Sequence, residues 1–453
     1  MSRVNSSIYH KILNYLCQTI DGTEWAGKVY AVGGCCRDLA MGHEIKDIDL
    51  AVEIPDGGVK FARWLDSMKK TIREPIYYPM FGTAMLSLDK YPDVEIEIVQ
   101  TRSGKYTRDN RECPETVFGG IKEDCNLRDL TINSLYYNVT TGETLDITGR
   151  GISDIENRIL RTPASPDETY TDDPLRVLRT IRFATRLGWD IDRRLMASMC
   201  IHSANLLEIS PRRHGAEMVR ILTGPNPRRA MELLVETGAI KTLLPELTAM
   251  MQSEQTTGGE ETVWEHTIKV LEATEPIAEL RLAALFHDCG KPRVRSVTRK
   301  GSVVYNNHEA TSGRTARRWM KSVKMGRETI ETVEFIIRRH DEFKYTGTDL
   351  EGMTTEQLLE IVSSSGSRKC LELYIAFVKA NNSVNGLELQ NESLDIQIKN
   401  LFKKRHVRFM QSSVQAEHAH RRRRNRGRSQ DNKANKSRGK GYQRRRNKTA
   451  STI

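Results

Sequence analysis

Apolar positions change period several times along the chain, and the changes mark its elements. Ile8, Ile12, Leu13, Leu16 and Ile20 recur at helical spacing, predicting a leading helix within residues 1–27 that the Asp21-Gly22 break ends. Val29–Val32 is a short apolar strand, followed by a Gly33-Gly34 turn and a short helix opening at Arg37-Asp38. A second strand carries Asp47-Ile48-Asp49. A helix around 59–70, a hairpin-like segment over 77–88 and a strand DVEIEIVQ come next. In that last strand Glu95 and Glu97 share one face, opposite Val94, Ile96 and Ile98. From Leu175 the period is helical again: Leu175, Leu178, Ile181 and Phe183 form a stripe, with Pro174 at the first turn. The run from Ile191 to Leu247 continues helical, with a break at Gly224-Pro225 and Pro227, and further helices follow to about Asn382. The fold class is α+β, a small sheet-containing head followed by helices. The expected divisions are a leading helix over 1–27, a head over 28–147, a helical neck and body over 148–255, a second helical domain over 256–385 and a tail over 386–453.

Polar, Gly- and Pro-containing stretches at 103–124 and 248–260 read as a mobile loop and a linker. The net charge of +11 favours a polyanionic partner, but much of the excess lies from Lys403 onward. That tail has almost no apolar residues and cannot build a core, so disorder is expected, and its charge blocks suit a nucleic-acid arm or a solubilising extension. The eight cysteines are scattered without a CxxC pair, which points to reduced, structural thiols. No apolar run is long enough to span a bilayer, and the first residues lack a signal-peptide core; a cytoplasmic protein with no membrane partner is expected.

Candidate chemistry starts at Val29–Glu53, VYAVGGCCRDLAMGHEIKDIDLAVE. Strand alternation sends Asp47 and Asp49 to the same side, and two neighbouring carboxylates are most useful when they hold divalent cations that clamp phosphate oxygens. Gly33 and Gly34 let backbone amides approach an anion without an intervening Cβ. A lone Asp-x-Asp or Gly-Gly is mostly a turn, but the order strand, GG turn, Arg-Asp, strand, DxD is specific. The segment resembles the head domain of the class II nucleotidyltransferases, the tRNA CCA-adding enzymes and bacterial poly(A) polymerases, with Cys36 where the GGxVRD pattern has valine.

The resemblance implies a mixed-sheet head in which Asp47 and Asp49 hold Mg²⁺, and it extends in order along the chain. Glu97, in a strand like the EVxxxR motif, is chosen over Glu95 as the third catalytic carboxylate; a solvent-facing strand edge is the plainer reading. NLRDLTINSLYYN resembles RRDFTINA and implies nucleotide binding by Arg128, Asp129 and Asn133, with Leu127 where an arginine is usual. LDITGRGISDIENRILRT is similar to the hinge-like motif at Asp146, Gly149, Asp154 and Arg161. TYTDDPLRVLRTIRF resembles EDxxR, which implies base selection by Asp173 and Arg176, with Asp172 in place of glutamate. Gly33, Gly34, Arg37, Asp38, Arg179 and Arg182 are expected around the nucleotide, the arginines on its triphosphate. Of ISPRRHGAE, Arg213 and Glu217 carry over weakly, and Arg212 stands where an acidic residue is typical. Taken alone, the Arg176–Arg182 stretch reads as an amphipathic helix with a basic face.

A second centre is signalled by His266, His287-Asp288-Cys289-Gly290-Lys291-Pro292, His308 and His340-Asp341. Single helical histidines are mostly structural, but an HD pair flanked by histidines on both sides resembles the HD superfamily of metal-dependent phosphohydrolases. That resemblance implies a divalent transition metal held by His266, His287 and Asp288, with His308 and His340 as further ligands; a helical body that keeps the metal for structure or RNA positioning is the alternative.

The combined expectation is an RNA nucleotidyltransferase that works without a template, adding CCA to tRNA 3′ ends from CTP and ATP, with possible HD phosphohydrolase activity. The alternatives are a poly(A) polymerase, a partial enzyme adding only C or only A, or an HD phosphohydrolase with an RNA-binding head. The HD metal's identity, the oligomeric state and the role of the basic tail are outside what the sequence determines.

Overall fold

A computed structural model of the chain describes residues 8–45, 47–104, 117–256, 259–342, 361 and 364–386. Contacts divide the chain into two units, one of Met1–Glu342 and Leu373–Gly386, the other of Phe343–Glu372 and Leu387–Ile453. Everything below concerns the first. The divisions expected at 147/148 and 255/256 both fall inside it, and the basic tail lies outside the described residues.

The head is a seven-stranded mixed sheet formed by β1 (Val29–Val32), β2 (Ile48–Val52), β3 (Ile76–Tyr78), β4 (Thr83–Leu88), β5 (Tyr91–Gln100), β6 (Leu135–Asn138) and β7 (Thr144–Asp146). Its order is β3-β4-β5-β2-β1-β6-β7. The leading helix α1 (Ile8–Ile20) buries Ile12, Leu13, Leu16 and Ile20 of the predicted stripe, while Ile8 stays exposed. Helix α2 (Gly34–Ala40) joins β1 to β2, which run antiparallel with Val32 opposite Asp49. The parallel pair β2–β5 sets Asp49 beside Glu97. A parallel pair needs a crossover connection, and α3 (Gly57–Ser67) followed by the β3–β4 hairpin supplies it. Alternation buries Ile48, Leu50, Ile96 and Ile98 while Asp49 and Glu97 turn to the opposite face. The start of α3 presses on the sheet: a Cβ on Gly58 would lie 2.3 Å from the Gly82 carbonyl oxygen and 2.5 Å from that of Ile98. No side chain larger than hydrogen fits there.

The loop expected over 103–124 is in part ordered structure. Its residues 105–116 lie outside the described ones, but Val117–Phe118 pairs with Arg102–Ser103 and Ile121–Asn126 forms helix α4. Gly120 opens α4, and the Glu123 carboxylate accepts from the Gly120 amide at 2.8 Å. The polar composition that suggested a loop is here the capping chemistry of a short helix.

Beyond the head the chain is helical. Helix α5 (Gly151–Glu156) and α6 (Pro166–Asp172) lead to α7 (Leu175–Leu187), α8 (Arg193–His202), α9 (Pro211–Leu222), α10 (Pro227–Glu236) and α11 (Ala239–Leu243). The break expected at 224–227 is the α9–α10 turn. The second helical region comprises α12 (Val263–Ala273), α13 (Ala278–Phe286), α14 (Lys291–Val294), α15 (His308–Ser322) and α16 (Arg327–Arg339).

Candidate functional site

Gly33 caps α2 at φ 74, ψ −132, a conformation open only to glycine. The turn it makes lies against the acidic pair: a Cβ on Gly33 would be 3.7 Å from Asp49 Oδ2, and one on Gly34 would be 4.0 Å from Asp47 Oδ1. Backbone amide and carboxylate surfaces therefore share one small volume. Asp49 has a large solvent-accessible area, yet protein atoms surround its carboxyl within the cleft. Burial, then Glu97 and Asp47, push it up to about 6. Accumulated negative charge is what raises it after burial, and a bound cation would relieve that repulsion. Glu97 stands next to Asp49 in the strand register, so the sequence choice over Glu95 picks the carboxylate beside the pair.

The remaining nucleotide-site candidates form a buried hydrogen-bond network. Arg37 donates to Asp38 Oδ1 from Nη2 at 2.8 Å and to Asn133 Oδ1 at 2.9 Å. Asn133 in turn donates to Asp129 Oδ1 at 3.1 Å. Asp129 also accepts two bonds from Arg179, at 2.8 and 2.5 Å. Burial alone would raise this carboxyl, but Arg179 and Asn133 outweigh it and hold it at about 2. Arg128 donates to Asp124 and to the Tyr136 hydroxyl at 2.9 Å each. Burial disfavours its charge, and Asp124 and Tyr136 more than restore it.

On α7, Arg176 pairs with Asp172 at 3.0 Å and donates to the Leu127 carbonyl at 2.7 Å. Asp173 caps the helix by accepting from the Leu175 amide at 3.1 Å and accepts from Arg213 at 2.8 Å. Arg182 donates to Glu217 at 2.8 Å. The three α7 arginines each already meet a protein carboxylate. Ion pairing holds them in place at the rim without using all of their donors.

These elements enclose one open cavity of about 630 Å³. Gly33, Gly34, Arg37, Asp38, Asp47, Asp49, Arg128, Asp129, Asn133, Asp173, Arg176, Arg179 and Arg182 all line it. Glu97 does not, although it flanks Asp49. The structure adds Asp124, Arg102 and Arg186 to the lining, together with Arg213, which sequence reasoning had carried over only weakly. Asp124 lay in the stretch read as loop, although its i,i+4 spacing from Arg128 is the signal that could have paired the two. Arg102 ends the EVxxxR-like strand; burial lowers its guanidinium, opposed by Asp124.

The second cluster is buried. His266 on α12, His287-Asp288 just after α13, His308 at the start of α15 and His340-Asp341 just after α16 converge around Asp288. Asp288 Oδ1 lies 3.1 Å from His308 Nε2 and 3.4 Å from His340 Nε2. Asp288 Oδ2 lies 3.2 Å from His287 Nε2 and 3.9 Å from His266 Nε2. Three of the rings are oriented from behind, because Nδ1 of His287, His308 and His340 lies 2.9, 2.9 and 2.7 Å from the carbonyl three residues back. A carbonyl can only accept, so Nδ1 carries a proton, and Nε2 is the ring nitrogen that faces Asp288.

Asp288 is held well below the usual carboxylate range: burial opposes its charge, but His287 and Lys291 outweigh it. Burial pushes His287 down. Lys291 and Gln255, neither singled out from the sequence, donate to Asp288 Oδ2 at 2.7 and 3.0 Å. Among the described residues, the groups with ligand atoms within 4.8 Å of one another are His266, His287 and Asp288; Asp288, His308 and His340; and His308, Glu309 and Asp341. Buried Nε2 of His287 and Oδ1 of Asp288 have no well-formed hydrogen bond. Imidazole with carboxylate is the donor set of a divalent transition metal, and these residues fit one.

Comparison with known proteins follows the same division. Residues 29–161 match the poly A polymerase head domain, residues 188–251 a probable RNA- and SrmB-binding site of polymerase A, and residues 263–373 the HD domain. The chain is 37% identical over 222 residues to the Saccharomyces cerevisiae mitochondrial CCA tRNA nucleotidyltransferase, covering 45% of this chain and 39% of that protein. It is 31% identical over 221 residues to the Levilactobacillus brevis CCA-adding enzyme, covering 49% of this chain and 52% of that one. The chain thus spans about two fifths of the length of the yeast relative and half of the bacterial one. In fold it resembles the Bacillus stearothermophilus CCA-adding enzyme in complex with CTP, with a TM-score of 0.60 at 19% identity over 88% of this chain and 83% of that one. The Thermotoga maritima CCA-adding enzyme complexed with tRNA is similar, at a TM-score of 0.56 and 18% identity over 86% and 82%. Among the described residues no helix is long and apolar enough to cross a membrane.

Proposed function

We propose that the chain, whose segments match the poly A polymerase head domain, the RNA-binding segment and the HD domain, is a template-independent tRNA nucleotidyltransferase that completes CCA 3′ ends from CTP and ATP. The observation that carries this reading is the convergence of the glycine turn, the Asp47/Asp49 pair and the α7 arginines on one cavity. The names of the relatives support CCA addition over poly(A) or single-nucleotide addition.

Asp47 and Asp49 would hold magnesium, with Glu97 adding charge beside them; hard cations take carboxylate oxygens and keep the remaining positions for water and substrate phosphates. When bound, the ions neutralise the triphosphate and ease deprotonation of the RNA 3′-hydroxyl. The chain's own contribution is positional. The Gly33-Gly34 turn offers backbone amides without steric obstruction. Arg179 and Arg182 keep spare donors toward the cavity for phosphate oxygens. Asp173 and Arg176, fixed by Arg213 and Asp172, present an acceptor and donors at set positions, which suits selection of a base by hydrogen bonding.

The histidine cluster favours a second activity, hydrolysis of a phosphoester at an RNA end. His266, His287, Asp288, His308 and His340 would hold a transition metal that supplies an activated water. The compartment of action is the mitochondrion, as the yeast relative's name suggests, or the cytoplasm; a fluorescent fusion distinguishes them.

Incorporation of labelled CTP and ATP into tRNA lacking CCA tests the reading. Wild-type protein should extend the RNA by three nucleotides, and D47A and D49A should not extend it. Retained incorporation by either variant refutes the assignment, and release of phosphate without incorporation would favour hydrolysis as the main activity.

A further inference from the structure

Eight of the fourteen large apolar side chains exposed among the described residues lie in two short segments, 68–81 and 117–118. Scattered exposed apolar groups are ordinary, whereas a concentration of them marks a contact surface. Met80 is 63% exposed, and Phe81 and Phe118 are each 37% exposed.

The two segments flank the same piece of backbone. Gln100 donates from its amide to the Gly82 carbonyl at 3.1 Å, while Gly119 donates to the Thr101 carbonyl at 3.3 Å and Phe118 pairs with Arg102. Phe81, Thr83, Val99 and Gln100 also line the catalytic cavity. The apolar surface is therefore continuous with the wall of the cavity that bears no charge until Arg102. The α7 wall, with Arg176, Arg179, Arg182 and Arg186, is cationic. The incoming nucleotide, its phosphates and its base, is assigned to the α7 wall, which leaves the uncharged wall for the bases of the primer.

The turn that presents Phe81 is rigid. Pro79 opens it, and Gly82 closes it at φ +60. A Cβ on Gly82 would lie 2.7 Å from the Gln100 side chain, whose Oε1 accepts from the Asp56 amide at 2.7 Å. An aromatic ring held on a fixed turn costs little to order on binding.

We propose that the Pro79–Phe81 turn is the platform on which the unpaired 3′-terminal bases of the RNA primer stack. The proposal rests on the nucleotidyl-transfer reading and specifies how that site holds its RNA. Single-stranded ends are gripped by aromatic stacking, which tolerates any base because every base offers a π-face. Such tolerance suits a primer whose terminal base changes with each addition. Phe81 acts as a positioning residue.

The test is steady-state incorporation by the full chain, with the KM for tRNA lacking CCA and the KM for CTP measured separately for wild type, F81A, F81L and F81W. Loss of one stacked base predicts that F81A raises the primer KM by about fivefold to a hundredfold, with the CTP KM unchanged. F81W should restore primer binding and F81L should not, because stacking needs a π-face. Phe81 is exposed, so the unfolding transition of F81A should match that of wild type. An unchanged primer KM in F81A, equal rescue by F81L and F81W, or a parallel rise in both KM values each overturns the proposal. An unchanged primer KM accompanied by an altered oligomeric state in light scattering would assign the patch to a protein contact instead. Wild-type incorporation with an insensitive F81A sinks the platform alone, while an inert wild type removes the nucleotidyl-transfer reading and the platform together.

Discussion

Replacing Asp49 with asparagine should stabilise the protein in the absence of divalent cations while abolishing its activity. Asp49 titrates at about 6 in the folded chain against an ordinary value of 3.8, because burial, Glu97 and Asp47 disfavour its charge. A group whose folded value is raised favours folding when protonated. Its contribution is fully present below 3.8 and is lost as pH rises through 6. At pH 8 the wild-type head therefore carries an unfavourable carboxylate that asparagine lacks. At about 1.4 kcal/mol per pH unit the difference corresponds to about 3 kcal/mol. Solvent reaches Asp49, and screening reduces this to roughly 1–2 kcal/mol, or roughly 2–4 °C in Tm. Thermal melts of wild type and D49N in a chelator, from pH 5 to pH 8, should show the variant's advantage growing until just above pH 6 and then levelling off. Added magnesium should raise the wild-type Tm and leave that of D49N nearly unmoved. A D49N protein that melts below wild type at pH 8 without metal, or that gains as much from magnesium, would refute the view of Asp47–Asp49 as a charge-strained cation site.

D129A should leave Arg179 without its carboxylate and Asn133 without an acceptor, destabilising the chain by about 2–3 kcal/mol in denaturant titration at neutral pH. Since Asp129 is held at about 2, its stabilisation is present above 3.8 and lost as pH falls through 2, so the wild-type advantage should shrink only in strong acid. Elemental analysis of purified chain should find a transition metal that H287A together with H340A removes, while nucleotide incorporation by the head persists; metal retained by the double variant would contradict the ligand assignment.

Much of this protein is settled by local sequence. Alternation alone sends Ile48 and Leu50 one way and Asp49 the other, and helical spacing alone buries Ile12 and Leu16. Gly33 is fixed by the backbone conformation its turn requires, and the HD pair announces its metal chemistry by residue type. The order of motifs along the chain brought nearly all of the nucleotide-site candidates to the same cavity. Partner choice, by contrast, was decided only by the tertiary fold. On α7, Arg179 and Arg182 read from sequence as cations awaiting a triphosphate and Arg176 as a base selector, but Arg176, Arg179 and Arg182 meet Asp172, Asp129 and Glu217. Two of those carboxylates lie 35 and 50 residues away, too far for any periodicity to pair them with an arginine. Gln255 gains its meaning only because the fold brings it to Asp288, 33 residues away. Periodicity and residue type are properties of neighbours in the chain. Charge pairing across a cleft depends on which elements pack together, and only the folded chain determines that.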